Sequence, residues 1–335
     1  MKNNLIKSTA VAPSNIAFIK YWGKEDEVLR IPTNGSVSMN LSNLLTTTTV
    51  EFNPNYKEDI ITINNQNEEN AKSRVIKHLD RVRRLAKIKY PSALLRAKVV
   101  SKNNFPTSTG LSSSASGFAA LTLAASKALG LSLSEKELSI LARLGAGSAC
   151  RSIPDGFVEW LGGETNETSY SVSLYPPEYW DIVDIVAIVS KNKKEKPTTE
   201  GQKLAKSSPF FPVRLSKIKE RIKLIKKYLK EKNFPLFGEL VEQEALELHA
   251  IMLTSTPPLI YWLPETISIM HAVQKWRRDR LQVYFTLNTG QNIHLICQEK
   301  DAKEVTRKVS RLPEVSRVTR SIPSVGARII STHLF

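Results

Sequence analysis

The sequence predicts an α+β protein of two lobes, in an α/β two-layer arrangement, dividing near residue 190. Three observations predict it. The chain has 335 residues, beyond the size at which a single hydrophobic core stops growing. Residues 103–131 (NNFPTSTGLSSSASGFAALTLAASKALGL) run from a small polar loop straight into a helix rich in Ala and Leu, the strongest helix formers. From residue 282 onward the pattern alternates strand, strand, helix, strand and strand, which suits an antiparallel sheet with helices to one side.

Taken in order, residues 5–19 (LIKSTAVAPSNIAFI) read as a strand, a Pro-Ser-Asn turn and a short apolar strand. Residues 31–41 (IPTNGSVSMNL) read as a hairpin with Asn34-Gly35 in its turn. Thr46 to Phe52 is a Thr/Val strand, 63–70 an Asn-rich surface loop and 71–89 a basic amphipathic helix. The strand Leu95 to Val100 then delivers the loop at 103. A helix over about 135–144 and strands over 168–175 and 182–190 complete the first lobe, residues 1–190. The second lobe, 191–335, opens on the charged loop 191–201 (KNKKEKPTTEG). Helices follow over roughly 214–232, 235–252 and 264–279, then strands at 282–287 and 293–297, a helix at 301–311 and two more strands.

Hydrophobic residues make up 41% and charged residues 24%, the balance of an ordinary soluble domain. No apolar run approaches the length of a membrane span, and the N-terminal stretch MKNNLIKSTAVAPSN lacks a secretory apolar region. The two cysteines, Cys150 and Cys297, make no disulfide framework, so a reducing cytoplasm is expected. The net charge of +16 opens the question of nucleic acid, an anionic membrane or a polyphosphate substrate. Much of it lies in Arg214 to Lys230 (RLSKIKERIKLIKKYLK), where Leu215, Ile218, Ile222, Ile225 and Leu229 keep a helical stripe. The lysines there are the solvated face of a packed helix, so neither nucleic acid nor membrane is expected as a partner.

The loop at 106–114 carries chemistry. Gly110 supplies a turn, and the hydroxyls of Ser108, Ser112, Ser113 and Ser114 line the approach to a helix N-terminus. Unsatisfied amides and the positive end of the dipole complete an anion cradle suited to the phosphate chain of a nucleotide. No Gly-Lys-[Ser/Thr] closes it, so it is not a Walker A loop.

Other clusters read two ways from residues alone. In Lys20-Tyr21-Trp22-Gly23-Lys24 the lysines either meet an anionic ligand or flank ordinary core aromatics. In Gly145-Ala146-Gly147-Ser148-Ala149-Cys150-Arg151-Ser152, small residues permit close backbone approach and Arg151 can grip a carboxylate or phosphate bidentately. Cys150 has no base in evidence and reads as a small packing residue. His249 reads as a helix-packing histidine, and the five histidines show no metal-ligand spacing.

The loop P-x-x-x-G-L-S-S-S-A resembles the phosphate loop of the GHMP kinase superfamily. Within it, the chain is similar to the mevalonate diphosphate decarboxylase family. Residues 104–115 match that family's N-F-P-T-x-x-G-L-x-S-S-A, and residues 15–24 its N-I-A-x-I-K-Y-W-G-K. Residues 145–152 with 156–160 follow G-S-G-S-A-C-R-S…G-F-V-E-W, apart from Ala146. Ser36 and Ser38 align with the serines of its P-x-N-x-S-x-S segment, and His249…Pro257-Pro258…Tyr261-Trp262 resembles its H-A…P-P…Y-W segment.

The resemblance covers nearly the whole chain. It implies the GHMP-kinase fold, with an N-terminal lobe like ribosomal protein S5 domain 2 and a C-terminal ferredoxin-like α+β lobe. It implies that ATP with Mg2+ phosphorylates the C3 hydroxyl of mevalonate 5-diphosphate, after which phosphate and carbon dioxide leave to give isopentenyl diphosphate. By the same resemblance Lys20, Tyr21, Lys24, Ser148 and Arg151 face that substrate, the Ser112–Ser114 loop takes ATP, and a homodimer is expected. Two departures stand at functional positions. Asn288-Thr289-Gly290-Gln291-Asn292 fills the place of D-x-G-x-N, so an amide occupies the position of the family's proposed catalytic Asp. Ala146 stands where the family has a Ser that touches the substrate's phosphates. Both leave room for a kinase or decarboxylase of mevalonate or its monophosphate. A catalytically silent relative that binds nucleic acid or protein is the remaining alternative.

Overall fold

A computed structural model describes residues 6–65, 69–89, 95–107, 109–192 and 196–335. In chain order these form β1 (Ile6–Ile19), β2 (Lys24–Asp26), β3 (Ile31–Pro32), β4 (Ser36–Asn53) and β5 (Ile60–Ile63). Then come α1 (Glu69–Lys89), β6 (Arg96–Asn103), α2 (Ser113–Ala128), α3 (Glu135–Gly145) and a short 3-10 helix, Gly147–Ser152. β7 (Phe157–Trp160), β8 (Ser171–Tyr175), β9 (Ile182–Ile188) and α4 (Thr198–Lys203) follow. The remainder is α5 (Phe211–Glu231), α6 (Phe234–Leu253), α7 (Pro264–Arg278), β10 (Val283–Thr286), β11 (Ile293–Gln298), α8 (Glu299–Val309), β12 (Arg317–Ser321) and β13 (Arg328–Ile330).

The helices start where the sequence supplies caps. Ser134 accepts from the Glu137 amide while the Glu137 carboxylate accepts from the Ser134 amide, a reciprocal box that starts α3. Asn233 accepts from the Leu236 amide at 3.3 Å to start α6, and Pro264 opens α7, where a missing N–H costs nothing. The Ala-rich α2 lies on β1 and β4, and its buried alanines (Ala115, Ala119, Ala120, Ala124, Ala125) let the backbones approach closely. That packing, with α1 and α3 alongside, forms one core.

Two sheets carry the fold. The first runs β13-β1-β4-β6-β5, with β7 and β8 continuing from the other half of β4. All its pairs are antiparallel except β5 with β6. The second runs β10-β11-β9-β12, all antiparallel. A larger core joins them. Ile16, Phe18 and Ile19 of β1 pack with residues of β9, β10, β11, α5, α6 and α7, and Phe18 meets Phe237 edge-on at 4.8 Å. The lobes therefore share apolar interior, each fully buried large side chain contributing about 1.5–3 kcal/mol.

Three local expectations change. Residues 6–19 form one strand rather than two; Pro13-Ser14 is a register shift within it and not a turn. Asn34-Gly35 does not turn a hairpin. Neither residue takes the left-handed backbone such a turn demands; Ile31–Pro32 pairs with β2, and Ser36 onward with β1 and β7. The buried Asn34 amide instead donates to the Lys20 carbonyl at 2.9 Å. The strand expected over 182–190 does not complete the first sheet. β9 is buried along its whole length (IVDIVAI) and needs a strand on each side, which β11 and β12 of the second sheet provide. Conversely, β13 returns to the first sheet and pairs with β1.

Candidate active site

The loop feeding α2 is held from both lobes. Ser112 takes a left-handed backbone (φ 55°) immediately before the helix, and no side chain caps it. No acidic residue stands in its first turn, so the positive end of the dipole is not offset by its own sequence. Gly110 also has positive φ, and a Cβ there would lie 2.8 Å from the Cα of Gly290. The Ser14 hydroxyl donates to the Leu111 carbonyl at 2.6 Å, and the Asn292 amide to the Thr109 carbonyl at 3.1 Å. Segment 288–292 is thereby pressed onto the loop. Ser112 and Ser113 are half-buried and Ser114 is exposed, while Ser108 lies outside the described residues.

Beside the loop lies a buried cluster of cations and hydroxyls. Arg151, on the 3-10 helix, donates to the Ser36 hydroxyl at 2.7 Å and the Asn15 side-chain oxygen at 3.0 Å. Among the described residues its buried Nε has no hydrogen-bond partner, and burial pulls the guanidinium below its ordinary pKa. A group left in this condition suits an anionic ligand. The Tyr21 ring meets Trp160 edge-on at 4.7 Å, and its hydroxyl donates to the Gln202 oxygen at 3.2 Å. Burial raises that phenol, which keeps it protonated and a donor. Lys24 has a buried side chain whose pKa burial lowers, partly offset by Glu27 at 2.7 Å. Ser148 is half-buried on the 3-10 helix, and its carbonyl accepts from the Asn15 amide at 3.2 Å. Cys150 is fully buried, donates to the Gly147 carbonyl at 3.0 Å, and has its thiol pushed up to about 11 by burial, as a packing residue should.

Asn288 joins the two halves. Its amide nitrogen donates to the Ser112 hydroxyl at 2.9 Å and to the Asn15 carbonyl at 3.4 Å. Its oxygen accepts from the Lys20 Nζ at 3.5 Å, the same amine donating to the Ala17 carbonyl at 2.7 Å. His249 Nε2 lies 3.0 Å from the Asn288 backbone carbonyl and the ring stacks on Trp262, so the histidine packs α6 against the 288 loop.

Lys20 is held by a charge cluster that the basic pattern of α5 conceals. Its backbone N–H donates to Glu244 at 3.1 Å and its carbonyl accepts from Arg214 at 2.9 Å. Glu244 also pairs with Arg214 at 2.9 Å and Arg221 at 2.7 Å. Burial would raise the Glu244 carboxyl, but Arg214 and Arg221 outweigh it and hold it below the carboxylate range. Exposed Lys217, Lys219, Lys223, Lys227 and Lys230 form the solvated face expected of the helix. Arg214 and Arg221 do not belong to it.

Asn15 and Asn288 thus link Lys20, Ser148 and Arg151 to Ser112, and Tyr21 packs on Gly147 beside them. Lys24 stands apart, paired with Glu27. Sequence reasoning missed Asn15, Ser36, Gln202, Glu244 and Asn292 as positioning groups. Asn15 and Ser36 lie inside the quoted motifs and were findable there. Glu244 had no local signal.

A two-lobed fold with an uncapped helix behind a serine turn, facing a buried cationic pocket, places the chain among GHMP-kinase-fold proteins. Family models for the diphosphomevalonate decarboxylase-like N-terminal domain and the mevalonate 5-diphosphate decarboxylase C-terminal domain match residues 12–171 and 184–326. The chain belongs to the diphosphomevalonate decarboxylase family, whose members are carboxy-lyases. It is 35% identical to the human diphosphomevalonate decarboxylase over 319 residues, 90% of this chain and 79% of that protein. It is 34% identical to that of Candida albicans, covering 90% of this chain and 87% of the relative. The Staphylococcus aureus mevalonate diphosphate decarboxylase structure superposes with a TM-score of 0.91 at 35% identity, covering 99% of this chain and all (100%) of the other. A decarboxylase complex with MVAPP, AMPPCP and magnesium gives 0.90 at 34%, covering 98% and 100%.

Proposed function

We propose that this chain phosphorylates the C3 hydroxyl of mevalonate 5-diphosphate with ATP, and that phosphate and carbon dioxide then leave to give isopentenyl diphosphate. The observation that carries the reading is the Asn288 side chain, which touches Ser112 of the nucleotide loop and Lys20 of the cationic pocket at once. A γ-phosphate on the loop and a hydroxyl in the pocket would meet there, and positioning with charge neutralisation does most of the work of phosphoryl transfer.

In this reading Gly110, Ser112, Ser113, Ser114 and the neighbouring Ser108 receive the ATP phosphates. Lys24, Tyr21 and Ser148 take the substrate diphosphate, while Arg151 and Lys20 stabilise charge at the reacting end. The uncapped α2 terminus and the hydroxyl-lined loop fit a polyphosphate. Magnesium, a hard cation, supplies charge neutralisation when bound with the nucleotide, whose phosphates and waters suit its preference for oxygen. We place the enzyme in the cytoplasm as a homodimer acting on a small molecule. No helix among the described residues is long and apolar enough to cross a membrane.

A paired assay of ADP and carbon dioxide with mevalonate, its 5-phosphate and its 5-diphosphate tests this. Equal release of both from the diphosphate alone supports the reading. ADP without carbon dioxide makes the chain a 3-kinase. A preference for the 5-phosphate would follow from Ala146, which is buried and offers no hydroxyl to a second phosphate. No ADP from any of the three would sink it.

A further inference from the structure

We propose that Lys20 takes the proton from the substrate hydroxyl, in the role that a carboxylate would have at position 288. The inference rests on the phosphorylating reading above. Asn288 cannot serve, because an amide has no proton affinity near neutral pH. Nor can it swing its oxygen elsewhere without loss. Both of its N–H groups are spent on Ser112 and on the Asn15 carbonyl, and a reversed amide would set oxygen against that carbonyl. Asn288 is thus fixed with its oxygen toward the Lys20 amine at 3.5 Å.

The Lys20 amine is in the right condition. The residue is 1% exposed, and among the described residues no carboxylate forms an ion pair with it. Among the described residues its Nζ has two acceptors, the Ala17 carbonyl and the Asn288 oxygen. Two acceptors match the two N–H groups of a neutral amine and leave its lone pair to receive a proton; an ammonium would carry a third N–H with no partner. The charges around it divide. Glu244 and, less strongly, Asp184 favour the ammonium, whereas burial first, then Arg151 and Arg214, oppose it. The opposing side prevails, and the amine lies well below the ordinary lysine value. His249 is not the acceptor through Nε2, which must carry its hydrogen to bond the Asn288 carbonyl.

The step balances. The hydroxyl proton passes to the Lys20 lone pair, and the oxygen forms a bond to the γ-phosphorus of ATP. The bond from that phosphorus to the β,γ-bridging oxygen breaks, and ADP departs with the electron pair. When the carboxylate carbon leaves as carbon dioxide, its bonding pair forms the alkene and the 3-phosphate departs with the C–O pair. The Lys20 ammonium favours that departing charge and afterwards releases its proton to water.

The test compares wild type, Asn288→Asp, Lys20→Arg and the double variant, following ADP release at saturating ATP and mevalonate 5-diphosphate from about pH 6 to 10. Arginine keeps the charge but cannot accept a proton. We expect Lys20→Arg to lose about 10²–10⁴-fold in kcat with KM within about threefold, and the double variant to regain at least about tenfold through its new carboxylate. In the wild type kcat falls as pH drops through the Lys20 pKa. In Asn288→Asp the carboxylate becomes the base, and this limb moves at least about one pH unit lower. If Lys20→Arg fails to fold, the limb comparison decides alone. A Lys20→Arg enzyme within about threefold of wild type, or a limb unmoved by Asn288→Asp, overturns the role of Lys20 while leaving the proposed reaction intact. A wild type that makes no ADP from any of the three mevalonates removes that reaction and this role together.

Discussion

The Asn288 amide donates to the Ser112 hydroxyl at 2.9 Å, a bond that ties the loop after β10 to the residue preceding α2. Ser112→Ala removes this bond and one wall of the phosphate cradle, leaving the Asn288 amide nitrogen with its longer Asn15 contact and the oxygen with Lys20. We expect kcat/KM for ATP to fall about 5- to 30-fold, as for loss of about 1–2 kcal/mol of hydrogen bonding. The melting temperature should shift little. Steady-state kinetics beside thermal melts check this.

Arg151 is a fork engaged with Ser36 and Asn15, and a lysine has no second donor arm. Arg151→Lys should therefore raise KM for the phosphorylated substrate by about tenfold or more, corresponding to at least about 1.4 kcal/mol, with KM for ATP unchanged. An equal rise in both constants would mean that Arg151 supports the fold rather than the substrate.

Glu244→Gln leaves Arg214 and Arg221 with Glu247 alone and weakens the anchor of the Lys20 backbone. We expect about 3–5 kcal/mol of destabilisation in urea unfolding at neutral pH. The pH dependence has a definite sign. Since the folded carboxyl lies below its ordinary value of 4.5, its stabilisation is present above that pH and lost as pH falls through the folded value. The gap between wild type and variant should narrow on acidification.

His78 is fully buried, bonds the Thr122 hydroxyl at 2.8 Å and meets Phe118 edge-on. Burial pulls its pKa from 6.5 to about 3. The unfolded chain then binds a proton that the folded chain refuses, so this group's contribution is intact above pH 6.5 and lost toward pH 3. Its slope is about 1.4 kcal/mol per pH unit. His78→Leu should flatten that part of the curve, measured by urea unfolding at stepped pH.

Two glycines should respond oppositely to alanine. A Cβ on Gly290 would come within 2.4 Å of the Gly110 Cα, backbone against backbone, so Gly290→Ala must displace the phosphate loop. Activity should drop at least about tenfold. Gly117, in α2, has nothing within 4 Å of its Cβ position. Gly117→Ala should stabilise the protein by about 0.5–1 kcal/mol.

What the sequence made legible follows what is local. The serine turn, the Ala-rich helix and the helices of the second lobe show themselves through composition and period over a few residues, and the structure keeps them nearly where expected. Residues of the signatures at 15–24, 104–115 and 145–152 meet through hydrogen bonds of Ser14, Asn15 and Asn288. The exchange of β9 and β13 between sheets was not legible, because which strand a buried run pairs with depends on partners far along the chain. Arg214 and Arg221 did not stand out for a related reason. In a lysine-rich run they carry the same charge as their neighbours, and only Glu244, on the next helix, marks them as interior. Asn34-Gly35 had turn chemistry but was used for its amide donor, toward Lys20.

The pairing of β1 with β13 has a bearing on how the chain is made. Thr9, Ala10 and Val11 leave a ribosome long before their ladder partners Ile330, Ile329 and Arg328. Throughout synthesis that edge of β1 offers unpaired backbone groups, a template on which a neighbouring nascent chain can add a strand. Polysomes translating this message would carry a line of such edges at high local concentration. Chaperone occupancy, or a translational pause, would therefore bear on the same strand that carries Ser14 and Asn15 to the phosphate loop.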